Sequence, residues 1–223
     1  MFQKARSTLS HKMLSWDIET TGLDRNSDLI TVIGLYSPES DISTVIRFVD
    51  HSEDGVLKYV DNLQQRIAQV IETFDAADCL TGMNTLSFDL PFLQKQFSIP
   101  PTTVASWALK TFDILEMSRR VIGRTFSLDL LLQTNDFTTL KIASGKDAVD
   151  FAYRGDWDKL ADYCLSDCIL THQVHSRKAL ILPEGYHYRS KHNRPVSPTT
   201  HMMLDLSSLP AVRLSHKKVS IVA

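Results

Sequence analysis

The sequence has no apolar run approaching the roughly 18 to 20 residues of a membrane-spanning helix, and no signal-peptide apolar core follows its start. Cysteine is scarce. Cys79, Cys164 and Cys168 make an odd number inside apolar segments, so reduced thiols are expected rather than a disulfide framework. Internal repeats and low-complexity blocks are absent. Basic charge is in short supply as well, with 24 Lys and Arg against 26 Asp and Glu and a net charge of -2. A protein that coats DNA irrespective of sequence is normally more basic than this, whereas one that gathers acids need not be.

What is present suits one globular domain with an appendage: 223 residues, 43% of them hydrophobic, enough for a core of ordinary size. The first dozen residues, with Lys4, Arg6 and Lys12 and no acid, have a weak transit-peptide flavour, but a strand begins too soon after them. A cytosolic or nuclear location is the expectation. The charge is unevenly placed. Residues 186–223 carry six basic residues (Arg189, Lys191, Arg194, Arg213, Lys217, Lys218) against Asp205 alone, so that stretch is +5 and the remainder -7.

Between residues 13 and 23, Leu14, Trp16 and Ile18 alternate with Ser15, Asp17 and Glu19, a strand with one apolar and one acidic face that Gly22 ends in a turn. Side chains two apart on a strand point the same way, about 6.5 to 7 Å apart, so the two carboxylates can serve one site. Uncompensated they repel each other, and a divalent cation between them removes that cost.

Residues 29–36 and 43–49 read as two further strands, giving an antiparallel meander across the turn at residues 37–41. Residues 54–74 carry a helical apolar stripe, 79–83 a short buried strand, and 90–97 a helix stopped by Pro100 and Pro101. Helices are expected at 113–121, 128–134 and 156–178. Strands followed by alternating helices and strands predict an α/β sandwich with a mixed central sheet flanked by helices. The body is expected to span residues 1–182. Residues 183–223, punctuated by Pro183, Gly185, Pro195, Pro198 and Pro210, read as a basic extension, partly disordered. That extension is either draped over the body through Met202, Met203, Leu204 and Leu206 or is an arm for nucleic acid or a protein partner.

Two later segments also place acids oddly. Residues 81–93 leave a buried strand through Gly82 and Asn84 and present Asp89 just before a helix whose second residue is Pro91; alone, Asp89 is an ordinary N-cap. In residues 160–167, Tyr163 and Asp167 lie four apart on one helix face, alone an exposed pair.

Together the segments follow the order Asp-x-Glu on a first strand, Asn-x3-Phe-Asp at a strand-to-helix junction and Tyr-x3-Asp on a late helix. This resembles the DEDD superfamily of 3′–5′ exonucleases in its tyrosine-bearing branch, as in the proofreading exonuclease domain of family B DNA polymerases and stand-alone exonucleases of the same RNase H-like fold. The likeness runs from about Leu14 to Val174, with Ser118-Arg119-Arg120 and Ser127 to Leu131 as similar intervening segments. Departures are mild: Trp16 stands where Phe is common and Cys168 where Ala is common.

The resemblance implies an RNase H-like fold and hydrolysis of phosphodiester bonds from the 3′ end of single-stranded nucleic acid, DNA favoured over RNA. It implies Asp17, Glu19, Asp89 and Asp167 as ligands of two divalent cations, with Asp17 bridging, and Tyr163 as hydrogen-bond partner of the attacking water. Oxygen-only ligands point to Mg²⁺ or Mn²⁺ rather than zinc. It also implies Thr20, Thr21 and Leu23 at the terminal nucleotide, Leu23 as a wedge, with Asn84 and Phe88 lining the groove. Phe126, Tyr153 and Trp157 are candidates for stacking bases, with core packing the plainer account. Without a catalytic imidazole, activity is expected to rise through about pH 7 to 9. The alternative is a non-catalytic nucleic-acid-binding or scaffold subunit that keeps the fold.

Overall fold

The computed structural model describes residues 12–123, 125–177, 179–182 and 202–205. Lys4, Arg6, Leu206 and the basic residues of the C-terminal stretch lie outside them, so the expectations attached to those residues do too.

In chain order the elements are β1 (Met13–Thr20), β2 (Ile30–Ser37), β3 (Ile42–Arg47), β4 (Val49–His51), β5 (Leu57–Tyr59), α1 (Leu63–Ala76), β6 (Cys79–Gly82), α2 (Asp89–Gln96), α3 (Pro101–Leu109), β7 (Thr111–Asp113), α4 (Ile114–Ile122), α5 (Leu128–Thr134), α6 (Gly145–Arg154), α7 (Trp157–His175), β8 (Ala179–Leu182) and β9 (Met202–Asp205). No helix among the described residues is long and apolar enough to cross a membrane.

The central sheet runs β3-β2-β1-β6-β7. β2 is antiparallel to β1 and β3, as the meander predicts, whereas β6 runs parallel to β1 and β7 parallel to β6. The period-2 pattern of β1 separates the two layers around this mixed sheet. Leu14, Trp16 and Ile18 are buried in the cluster that holds Phe74 of α1, Phe92 of α2 and Trp107 of α3. Ser15 on the other face donates to the Cys168 carbonyl of α7 at 2.7 Å.

Gly34 of β2, paired with Asp17, is what lets α7 lie so close to the sheet. A Cβ there would stand 2.8 Å from the Cys164 sulfur, 2.9 Å from that of Cys168 and 3.2 Å from the Cys164 carbonyl. β1 pairs with β6 only from Met13 to Ser15 and shows a register irregularity between Glu19 and Thr20. Its carboxylate-bearing end is therefore freed from β6 and re-aimed at its tip.

Several sequence expectations need correction. The helical stripe over 54–74 is helix only from Leu63; Leu57–Tyr59 pairs antiparallel with Val49–His51 as β5, across a turn where Gly55 has φ +75. A three-residue strand is too short to show its own period, so its apolar residues fall into register with the helix behind it. The segment 43–49 is two strands, β3 and β4, not one. α3, β7 and α6 have no counterpart in the reading from sequence. Beside these corrections, Met202–Asp205 pairs antiparallel with Ala179–Leu182. β8 is in turn clamped by Asn135, whose side chain accepts from Ile181 N at 2.7 Å and donates to Ile181 O at 2.8 Å.

Candidate active site

The chemistry-bearing side chains gather where β1 has parted from β6, between the N-terminus of α2 and the middle of α7. Glu19, Asp89, Tyr163 and Asp167 are all buried, with Asp89 only 2% and Asp167 6% exposed, and Asp17 is half-buried beside them. Unpaired carboxylates are rarely buried at all. Asp89 is not an N-cap: Phe88 holds that position without a side-chain bond, and the Asp89 carboxylate accepts the N–H of Ile18 on β1 at 3.2 Å. It thus takes the place of the strand pairing that β6 no longer supplies.

Two residues that the sequence reading passed over complete the arrangement. Lys141, in the loop before α6, places its ammonium 2.5 Å from Asp167 Oδ2 and 5.0 Å from the centre of the Tyr163 ring. Its side chain is only 17% exposed. Asp113, at the end of β7, is buried and accepts four backbone N–H groups: Asn84, Leu115 and Glu116 at Oδ1 and Leu86 at Oδ2. Asp113 caps α4 and also fixes the loop that leads to Phe88 and Asp89; Asn84 in that loop holds φ +68. A charged residue at the foot of a predicted helix is the signal that points to Asp113. Lys141 carries no such signal, because only tertiary folding brings its loop to α7.

Burial sets the electrostatics. It pushes Asp17 up to about 7, with Asp167 adding to the rise and Lys141 opposing it. Burial raises Glu19 and Asp89 well above the usual carboxylate range, with the charge of Asp17 next in each case. Asp167 rises less because burial is countered by Lys141 and by a hydrogen bond from Tyr163. Lys141 itself would be lowered by burial, but Asp167, Asp17 and Glu19 outweigh that and hold it charged. One lysine acts on Asp167, Asp17 and Glu19 of the four carboxylates, and Asp167 Oδ1 is buried without a hydrogen-bond partner. Excess negative charge with an orphaned oxygen fits a hard divalent cation, which Asp17, Glu19, Asp89 and Asp167 would hold and whose charge would favour their ionised forms.

The Cys164 sulfur also lies near: one ligand atom from each of Asp17, Glu19 and Cys164 fall within 4.8 Å of one another. A hydrogen bond to Cys168, then burial, raises this thiol well above its ordinary value, so it stays protonated and the donors offered are carboxylate oxygens. Among the described residues, Cys164 and Cys168 pack on Gly34 while His172 lies against Tyr36 and His175 against Phe112, so these four do not form a zinc site. Burial lowers both imidazoles, that of His175 to about 4.

The residues expected at substrate lie at and after the end of β1 and on the segment between β6 and α2. Leu23 is 84% exposed on a loop held tightly beneath it: Thr21 N donates to Leu29 O, and Asp24 N and Thr21 Oγ1 donate to the Asp28 carboxylate. The Thr20 hydroxyl turns to the Gly22 carbonyl. Asn84 and Phe88 are half-buried, the Phe88 ring 5.3 Å from that of Phe92. Of the aromatic candidates, Phe126 is buried in the α4-α5-α7 core, which corrects the stacking expectation for it. Trp157 lies under Arg47 at 4.7 Å, and Tyr153 is 59% exposed.

A family model of the RNase H superfamily matches residues 14–178. The chain belongs to the RNase H superfamily. Among solved structures it is similar to the family B DNA polymerase from the hyperthermophilic archaeon Pyrobaculum calidifontis, with TM-score 0.51 and 14% identity. The likeness covers 74% of this chain and 24% of the polymerase, and it is a likeness of fold. No curated protein matches the chain in sequence. The mixed five-stranded sheet with flanking helices is thus an RNase H-like fold, and membership of this superfamily supports a nuclease-like function acting on nucleic acid.

Proposed function

We propose that the protein is a metal-dependent 3′–5′ exonuclease of the tyrosine-bearing DEDD type, cutting single-stranded nucleic acid from its 3′ end, with DNA favoured. The observation that carries this reading is the meeting of Asp167 and Tyr163, from one helix, with Asp17, Glu19 and Asp89 in a buried cluster whose four carboxylates outnumber its one cation, Lys141. Bound Mg²⁺ or Mn²⁺ ions would supply an activated water and stabilise the departing O3′.

The chain's own groups have separable tasks. Asp17, Glu19, Asp89 and Asp167 would hold the cations. Tyr163 is raised above the ordinary phenol value by burial, then by Glu19 and Asp167, so it stays protonated and serves as a hydrogen-bond donor that orients water rather than as a base. Lys141 offsets charge on Asp167 and fixes its rotamer. Leu23, exposed on a hydrogen-bonded loop that Thr20 and Thr21 shape, would press against a terminal base, and Asn84 and Phe88 would flank it.

The test is a ladder assay on 5′-labelled single-stranded DNA and RNA with Mg²⁺, Mn²⁺ or EDTA. Stepwise shortening from the 3′ end that needs metal and is lost in Asp17→Ala is the expected result. Oligonucleotide binding without any ladder under either metal would instead establish the non-catalytic binding subunit.

A further inference from the structure

A cavity of about 500 Å³ opens beside the loop that carries Leu23, and its lining includes Arg25, Gln94, Lys95, Ser98 and three prolines. Two cations line it and no carboxylate does. Among the described residues neither Arg25 nor Lys95 makes an ion pair. The dipole of α2 accounts for a lysine in that helix's last turn but not for an arginine from another loop facing the same space. The wall is also built to stay in place: Gln96 donates to the Arg25 carbonyl at 2.8 Å and accepts the Tyr59 hydroxyl at 2.7 Å.

Its position relative to the carboxylates follows from helix geometry. Lys95 is six residues beyond Asp89 on α2, about 9 Å along the axis. Arg25 is two residues from Leu23, within about 7 Å of chain. Lys95 therefore stands too far from Asp89 to take part in bond cleavage, and the cavity is near enough to meet the same bound strand.

We infer that this cavity is a backbone subsite in which Arg25 and Lys95 hold phosphates of the single strand upstream of its 3′-terminal nucleotide. Gln94 and Ser98 supply neutral hydrogen-bonding groups for a sugar-phosphate chain, and the prolines give an apolar wall for a base. The inference rests on the proposed function for the direction of the strand, but its test reads binding rather than cleavage.

Fluorescence anisotropy with labelled single strands of about 4 and about 12 nucleotides in EDTA measures affinity across a salt series. Neutralising two phosphate contacts in Arg25→Ala/Lys95→Ala should reduce the slope of log K against log salt by about 1.4 and weaken binding of the longer strand about 25-fold at about 0.1 M salt, converging near 1 M. Arg25→Lys/Lys95→Arg should keep the wild-type slope. Both residues are exposed, so folding is not at stake. Arg154→Ala/Lys159→Ala removes the same charge from an exposed region of α6 and α7 and should leave the slope unchanged. A wild-type slope in Arg25→Ala/Lys95→Ala, or an equal loss in the control pair, would overturn the subsite. If the wild type still cuts strands with Mn²⁺ in that case, the exonuclease reading stands without it; a wild type that neither binds nor cuts defeats both.

Discussion

Lys141 and Asp167 form an ion pair at 2.5 Å in the middle of the acidic cluster, with the lysine drawn from a loop 26 residues earlier in the chain. The pair puts one fixed positive charge where four carboxylates meet, so it lowers the cost of ionising Asp17, Glu19 and Asp167 alike. Lys141→Met keeps the stem and deletes the charge. The carboxylates then titrate higher, so metal binding must compete with more tightly held protons. Activity should fall about 10- to 100-fold at neutral pH, as for other residues that support metal ligands, and the pH profile should move to higher pH. Rates measured against Mn²⁺ concentration at several pH values check this; an unchanged metal requirement would show the lysine to be a bystander.

Asp17 gives a stability prediction that needs no substrate. Its folded value of about 7 stands above the ordinary 3.8, so the folded protein holds more protons than the unfolded chain between those values. The contribution of Asp17 to stability in EDTA is therefore fully present below about 3.8 and is lost as pH rises through about 7. Asp17→Asn removes that dependence, and its Tm at pH 8 in EDTA should exceed that of the wild type by about 2 to 4 °C per kcal/mol recovered. Mn²⁺ should raise the wild-type Tm most at high pH and do far less for the variant. Thermal unfolding over pH 5 to 8, about the range in which folded proteins are most stable, is the measurement.

Gly34 offers a way to disturb the site without touching it. In Gly34→Ala the new methyl meets two sulfurs and a backbone carbonyl of α7, so the helix itself has to shift. Overpacking of this kind costs about 1 to 3 kcal/mol. Because α7 carries Tyr163 and Asp167, activity should fall with stability. Adding Cys164→Ala and Cys168→Ala makes room for the methyl and should recover part of both losses. Denaturant unfolding and the ladder assay, run on both variants, check the coupling.

The acidic strand, the strand-to-helix junction and the late helix were legible in sequence because each is a local pattern. Asp17 and Glu19 stand out as charges on a two-residue period, and Tyr163 and Asp167 as a four-residue pair. Lys141 was not legible, since a lone lysine in a loop between α5 and α6 has no local pattern to break. Nor was the strand at Leu57–Tyr59, whose three residues mimic the start of α1's stripe. The Asn135 clamp on Ile181 escaped for a related reason, because a residue just past α5 reads as a helix stop until β8 is beside it.

Asp113 allows the most local of the predictions. It satisfies four backbone donors, two at the start of α4 and two in the loop before Asp89. In Asp113→Ala these N–H groups, one buried and three partly buried, lose their acceptor together, and an N-cap alone is worth about 0.5 to 2 kcal/mol. With the loop contacts included, the loss should reach about 2 to 4 kcal/mol by denaturant unfolding. Asp113→Asn keeps one acceptor oxygen and loses the charge, so it should fall between wild type and Ala. The two halves of the role can be separated by activity. If Asp113 only caps α4, both variants keep the wild-type rate per folded molecule. If it also positions the Asn84–Phe88 loop, the rate at saturating metal falls in the order wild type, Asn, Ala, and the bound 3′-terminal nucleotide should become less well held, with a rise in KM.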